Sequence, residues 1–163
     1  MSSSRVLVAR LGQMQFTDSG DTLKAIMGSC VGIGILWPKR GVYALSHCLL
    51  GESPAGSDTL SAKYVSDAVP MMIEALGAET RRDRFSLQAV VVGGGNMLQE
   101  NGTAEAVEIG PSNLNAARRH LAKHDIAIKQ IQDAEGNASQ LFIDGATGEY
   151  EIVLIPKLVV KAG

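Results

Sequence analysis

Apolar and polar positions fall in blocks along this chain, and the blocks predict most of its elements. Val6–Leu11 is apolar and branched and reads as a first strand. Leu23–Met27 and Val31–Trp37 are apolar segments on either side of a Gly28-Ser29-Cys30 turn. Pro38-Lys39-Arg40-Gly41 carries the proline and glycine of a turn, and Val42–Leu50 follows as the returning strand. Gly51–Ser57 (GESPAGS) has the composition of a loop, expected to be mobile.

The period then changes. Over Ser61–Ala78 the apolar residues Tyr64, Val65, Ala68, Met72 and Leu76 recur at helical spacing, and Gly77 is placed to close the helix. Pro70 interrupts this pattern, removes one donor and crowds the Ser66 carbonyl, which predicts a kink or the start of the straight part there. Arg81–Arg84 reads as a solvated charged link, and Leu87–Val92 as a buried strand ended by Gly93-Gly94-Gly95. A second helix is predicted over Ser112–His124, with Ser112 as N-cap and Leu114, Ala117 and Leu121 on one face. Ile126–Ile131 alternates as a strand, and Leu141–Ile143 and Glu149–Ile155 flank the hairpin loop Asp144–Gly148. No internal repeat or low-complexity linker stands out. The expectation is an α+β fold in a single layered domain over residues 1–163: a mixed or antiparallel, sandwich-like sheet with two main helices packed on it.

Composition narrows the function classes. The chain has 163 residues, 45% hydrophobic and 20% charged, with a formal charge of -2, which argues against a nucleic-acid binder that neutralises phosphates. No apolar run approaches the roughly 20 residues of a membrane span, so no membrane insertion is expected. Arg5 and Arg10 interrupt the N-terminal stretch, which therefore does not read as a signal peptide. With two cysteines and no export signal, the expected location is the reducing cytoplasm, where thiols are free to react.

Cys30 follows Gly28-Ser29, and His47 returns seventeen residues later. A hairpin closed around Pro38–Gly41 predicts the two as cross-strand neighbours, with Cβ atoms about 4.5–5.5 Å apart. The pair matters because an unassisted thiol of pKa about 8.5 is only about 3% thiolate at neutral pH. An adjacent imidazole can take its proton and later supply one to a leaving group. Unpaired amides at the Gly28-Ser29 turn could hold an oxyanion. The residues alone leave open a small buried thiol and an unrelated core histidine. Cys48, one position along the strand, is expected on the opposite face as a structural residue.

Other groups read more simply. Gly93-Gly94-Gly95 lacks the lysine–serine pair and the GxGxxG context of a nucleotide site, so Gly94, Gly95 and Asn96 are expected in a tight loop at the edge of a cleft. His120 and His124 are four apart, but Arg118, Arg119 and Lys123 surround them, which predicts a solvated helix face and no metal site. Met27, Met71, Met72 and Met97 read as packing, with Met71 and Met72 near Pro70 as an alternative docking patch.

"MGSCVGIGILW" (27–37) followed by "YALSHCLL" (43–50) resembles the signature of the chemoreceptor glutamine deamidase family, CheD. "KYVSDAVPMMIEAL" (63–76), "VVGGGNML" (91–98) and "IGPSNLNAARRHLAKHDIAI" (109–128) continue the likeness in the family's order. The resemblance implies a hydrolase that converts particular glutamines of chemotaxis receptors to glutamates, with Cys30 as nucleophile, His47 as base and acid, and no cofactor. It also implies a partner, a CheY-phosphate phosphatase of the CheC type. Three features depart from the family. Its threonine five or six residues before the cysteine is replaced by Ala25 and Lys24, leaving Thr22 as the candidate third member. The proline after its histidine segment is glycine in "HCLLGES", and the arginines of its glycine-arginine element are missing from "AEGNASQ" (134–140). Two alternatives stand beside this reading: a catalytically weak adaptor that binds receptors or the phosphatase, and another cysteine amidohydrolase or peptidase.

Overall fold

The computed structural model describes residues 5–93 and 104–155, with residues 104–111 by their backbone. In chain order the elements are β1 (Val6–Val8), β2 (Met14–Thr17), β3 (Thr22–Met27), β4 (Val31–Trp37), β5 (Val42–Cys48), α1 (Val65–Leu76), α2 (Arg81–Phe85), β6 (Gln88–Gly93), α3 (Ala104–Lys123), β7 (Ala127–Asp133), β8 (Ala138–Asp144) and β9 (Tyr150–Ile155). The strands form a five-stranded sheet, β2-β5-β4-β6-β7, and a four-stranded sheet, β1-β3-β8-β9. Both are mixed, since β1 pairs parallel with β3 and β6 parallel with β7. Helices α1 and α3 cover one face of the larger sheet, and the smaller sheet covers the other. This is the α+β sandwich that the apolar blocks predict.

Strand β4 explains why the layers stack this way. All seven of its residues are buried. Val31, Ile33, Ile35 and Trp37 pack with Val65, Val69, Met72, Leu114 and Leu121 on the helical side. Leu36 joins Leu23, Met27, Leu141 and Ile143 between the sheets. Gly32 and Gly34 leave space on that second face. A Cβ at Gly32 would stand 2.9 Å from Met27 Cε, and one at Gly34 would stand 2.7 Å from Ile143 Cδ1. Side chains from the smaller sheet therefore fill the places that β4 leaves empty, and the sheets interdigitate.

Several boundaries differ from the sequence expectation, each for a physical reason. β1 ends at Val8 because residues 9–13 turn, and β2 is a strand that its short M-Q-F-T pattern did not reveal. Helix α1 begins at Val65 rather than Ser61 and runs through Pro70; Gly77 closes it with φ +74°. The expected charged link is the short helix α2, because Thr80 accepts a hydrogen bond from the Asp83 N–H while the Asp83 carboxylate accepts one from the Thr80 N–H. Helix α3 starts at Ala104, so Ser112 lies inside it and is not its N-cap. The polar run there serves a tertiary contact instead. Buried Asn113 donates from Nδ2 to the Leu49 carbonyl at 2.9 Å, tying α3 to the chain leaving β5.

Gly34→Val tests the interdigitation, since its branched side chain must displace Ile143. Overpacking of this kind costs about 1–3 kcal/mol. The expected result is a lower denaturant midpoint with an unchanged m-value; an unchanged midpoint would mean that the sheets have room to spare.

Candidate active site

Cys30 lies where the chain crosses from the smaller sheet to the larger one, between the end of β3 and the start of β4. Gly28 and Ser29 occupy this crossing, half-buried, so the expected turn is a passage between sheets. The β4–β5 ladder pairs Gly32 with His47 and Val31 with Cys48. This register differs by two residues from the expected opposition of Cys30 and His47. The reason is that Pro38–Gly41 forms a four-residue loop between Trp37 and Val42, closed at Gly41 with φ +65°.

A shift of two preserves the face. Cys30 packs in the cluster between the sheets with Met27, Leu45 and Val92, and His47 follows Tyr43 and Leu45 onto that same side. Cys48 packs on the helical side, as expected. Continued one residue beyond Val31, the ladder would set Cys30 diagonal to His47, a relation whose spacing is about 7–8 Å. They are 9% and 7% exposed, so both stand at the margin of the packed interior rather than in open solvent.

Burial sets their charge states. It raises the Cys30 thiol above its ordinary value. It lowers the His47 imidazole, against the smaller opposing effect of a hydrogen bond from Nδ1 to the Ala9 carbonyl at 3.1 Å. The Cys48 thiol is raised far more, first by burial and then by the nearness of the Cys30 thiol, which would repel a second thiolate. Among the described residues no hydrogen bond joins Cys30 to His47. The resting pair is a neutral thiol and a neutral imidazole.

The surroundings of Cys30 are shaped by backbone. Gly93 sits directly against the turn with φ +154°, and a Cβ there would stand 2.5 Å from the Cys30 carbonyl oxygen and 2.8 Å from Val31 Cα. The Gly93 carbonyl accepts from the Ala134 N–H at 2.8 Å, which brings the β7–β8 connection to the same end. Gly94, Gly95 and Asn96 continue from this point and lie outside the described residues. Among the described residues, none accepts a hydrogen bond from the main-chain N–H of Gly28, Ser29 or Cys30.

Thr22 is placed elsewhere. It begins β3, pairing with Val6 and Asp144, while the crossing begins after Met27, five positions on and about 17 Å away at strand rise. Its neighbours Leu23, Ala25 and Met27 face the inter-sheet core, so Thr22 points to the opposite face. The group that meets His47 is the Ala9 main-chain carbonyl, which sequence inspection missed because a carbonyl has no residue-type signature.

The Gly51–Ser57 loop is fastened rather than loose at its start. Glu52 accepts from Arg119 at 2.9 Å and contacts His120 Nε2 at 2.8 Å, and the Ser53 N–H donates to Ser66 Oγ at 2.9 Å. The His120 side chain is only 14% exposed, so it does not stand on a solvated face as its charged neighbours suggested. Leu50, Gly51, Glu52, Asn113 and Arg119 line a groove of about 300 Å³, to which neither Cys30 nor His47 contributes. Among the described residues no group of three or more His, Cys, Asp or Glu could hold a metal, and no helix is long and apolar enough to cross a membrane.

The fold and these side chains define a layered α+β protein with a cysteine and a histidine at one end of its inter-sheet space. The family model for CheD chemotactic sensory transduction matches residues 49–153, a span that begins just after His47. A probable chemoreceptor glutamine deamidase CheD of Bdellovibrio bacteriovorus is 36% identical over 91% of this chain and 94% of its own. The corresponding protein of Archaeoglobus fulgidus is 36% identical over 77% of each chain, and the chemoreceptor glutamine deamidase CheD of Bacillus subtilis is 29% identical over 93% of this chain and 89% of its own. The chain belongs to the CheD family.

The lowered imidazole makes a prediction about stability. On unfolding, His47 regains its ordinary affinity for a proton, with a value near 6.5. The stability gained by keeping it neutral is whole above that value and is lost as pH falls through the lowered folded value. Urea midpoints of the parent, compared with His47→Gln between pH about 7.5 and about 4.5, are expected to fall more steeply on acidification. Parallel curves would show that the folded protein takes up the proton as readily as the unfolded chain.

Proposed function

We propose that this chain is a protein-glutamine deamidase of chemotaxis receptors, a hydrolase acting on side-chain carboxamides, with Cys30 as nucleophile and His47 as base and acid. The observation that carries this reading is the placement of the two side chains on one face of β4–β5, at the crossing between sheets. The names of the relatives support the substrate class. Cytoplasmic work, a single domain over residues 1–163 and a CheC-type phosphatase partner belong to the same reading.

Because the resting pair is neutral, the reaction begins with substrate. As the glutamine carbonyl carbon approaches Sγ, the thiol proton passes to the free ring nitrogen of His47 and the S–C bond forms. Main-chain N–H groups of Gly28, Ser29 and Cys30 are the candidate donors to the oxyanion. His47 then gives the proton to the amide nitrogen, the C–N bond breaks, and ammonia leaves a thioester on Cys30. Water attacks the thioester with His47 taking its proton. The C–S bond breaks, glutamate departs, and the proton returns to the sulfur. Gly93 has a defined part in this scheme: without a Cβ, β6 can end against the nucleophile's own carbonyl.

Two observations favour a second reading. The raised Cys30 thiol and the absence of a thiol–imidazole hydrogen bond among the described residues suit a chain that binds receptors, or a CheC-type phosphatase, with little turnover. Peptide mapping by mass of a receptor cytoplasmic fragment separates the two. The parent is expected to convert particular glutamines to glutamates, Cys30→Ala none, and His47→Gln at a rate ~10²–10⁴-fold lower. Binding of the fragment by the parent without conversion would establish the adaptor. Conversion by Cys30→Ala at the parental rate would remove the nucleophile assignment.

A further inference from the structure

A buried neutral imidazole has to place its one proton, and its neighbours decide where. His47 Nδ1 lies 3.1 Å from the Ala9 carbonyl oxygen in a buried contact. A carbonyl can only accept, so this hydrogen bond requires the proton on Nδ1 and leaves Nε2 with its lone pair. Nε2 is then the nitrogen able to take a proton from a thiol.

The carbonyl is itself held from both sheets. The Ala9 N–H donates to the Lys24 carbonyl of β3 at 2.8 Å, and the Ala9 side chain, 1% exposed, is packed in the inter-sheet core. The chain then turns sharply. The Gln13 N–H donates to the Arg10 carbonyl at 2.8 Å, the Arg10 N–H donates to Gln13 Oε1 at 3.1 Å, and Gly12 takes φ +78°. This turn grips His47 by its main chain as well: the Gly12 N–H donates to the His47 carbonyl at 2.8 Å, and the His47 N–H donates to the Gln13 carbonyl at 3.0 Å. Three hydrogen bonds thus join residues 9–13 to one histidine.

We propose that the main-chain carbonyl of Ala9 is the positioning group for His47, fixing the Nδ1–H tautomer so that Nε2 faces the reaction. The proposal rests on the reading of His47 as the base. It gives to backbone a role that a side chain could have filled and that Thr22, which faces away from the inter-sheet core, does not fill. A neutral carbonyl orients the ring but supplies no negative charge to stabilise an imidazolium, which agrees with an imidazole that rests neutral.

Two measurements test this. In the unmodified protein labelled with ¹⁵N-histidine, long-range ¹H–¹⁵N correlation at mildly alkaline pH reads the tautomer, and the His47 signals are identified by their loss in His47→Gln. The expected form is Nδ1–H. An Nε2–H ring, or equal averaging of the two, overturns the proposal, and this readout needs no activity. For function, the amide between Ala9 and Arg10 is replaced by an ester in a synthetic segment 1–29 ligated at Cys30, which makes the Ala9 carbonyl a poorer acceptor and alters no side chain. The ester also removes the Arg10 N–H, so Gln13→Ala, which abolishes that bond to Oε1, is the comparison. The ester chain is expected to show kcat about tenfold below that of Gln13→Ala, with KM for the receptor fragment unchanged and the Nδ1–H preference weakened. Equal kcat values in the two chains overturn the proposal. If the ester chain does not fold, the tautomer measurement decides alone. Full deamidation by His47→Gln would instead defeat the reading of His47 as base, whichever tautomer the ring adopts.

Discussion

A strand buried on both faces has to divide its side chains between two cores, and the division made by β4 governs the rest of this molecule. Val31, Ile33, Ile35 and Trp37 go to the helices; Gly32, Gly34 and Leu36 go to the second sheet. Because Gly32 and Gly34 present no side chain, Met27 and Ile143 reach into the space beside β4. The same alternation continues into the paired strand, where it sends Cys48 to the helical side and His47 to the sheet side. A thiol and an imidazole end on one face because the pleat has a period of two, whatever the detail of the turn between them. One residue of slippage would separate them; two residues would not.

That placement has an electrostatic consequence. Both side chains sit at the edge of an apolar interior, where the charged form of either is penalised. Burial pushes the thiol up and the imidazole down, so the pair rests uncharged. In the reaction proposed above, proton transfer therefore waits for the arrival of a carboxamide and its developing oxyanion. The arrangement also divides the labour between sheets. The larger sheet carries His47, the crossing carries Cys30, and the edge strand β1 of the smaller sheet leads into Ala9, the acceptor of the ring proton.

The fold was legible where burial alone decides structure. The continuous run of β4 and the glycine closing α1 were readable because each obeys a local rule. Local rules failed where a distant partner supplied the reason. Ser112 looks like an N-cap, yet Asn113 beside it is held by Leu49, sixty-four positions earlier in the chain. His120 looks solvated among arginines, yet Glu52 covers it. At the site, the face shared by Cys30 and His47 followed from periodicity. Their register did not: with Pro38–Gly41 as the loop, Trp37 pairs with Val42, and that pairing sets His47 against Gly32 rather than Cys30. The partner of His47 could not be read at all, since a main-chain carbonyl is present at every position and only folding selects Ala9 from among them.

At the centre stands the claim that Cys30 takes the acyl group while His47 handles the protons. Acid quenching of the protein during turnover of a receptor cytoplasmic fragment, followed by intact-mass analysis and peptide mapping, tests it most directly. The predicted result is a covalent adduct of the two chains, lighter by one ammonia and localised to Cys30. Glutamate formation with no adduct on Cys30 at any quench time, at a rate that Cys30→Ala reproduces, would contradict it.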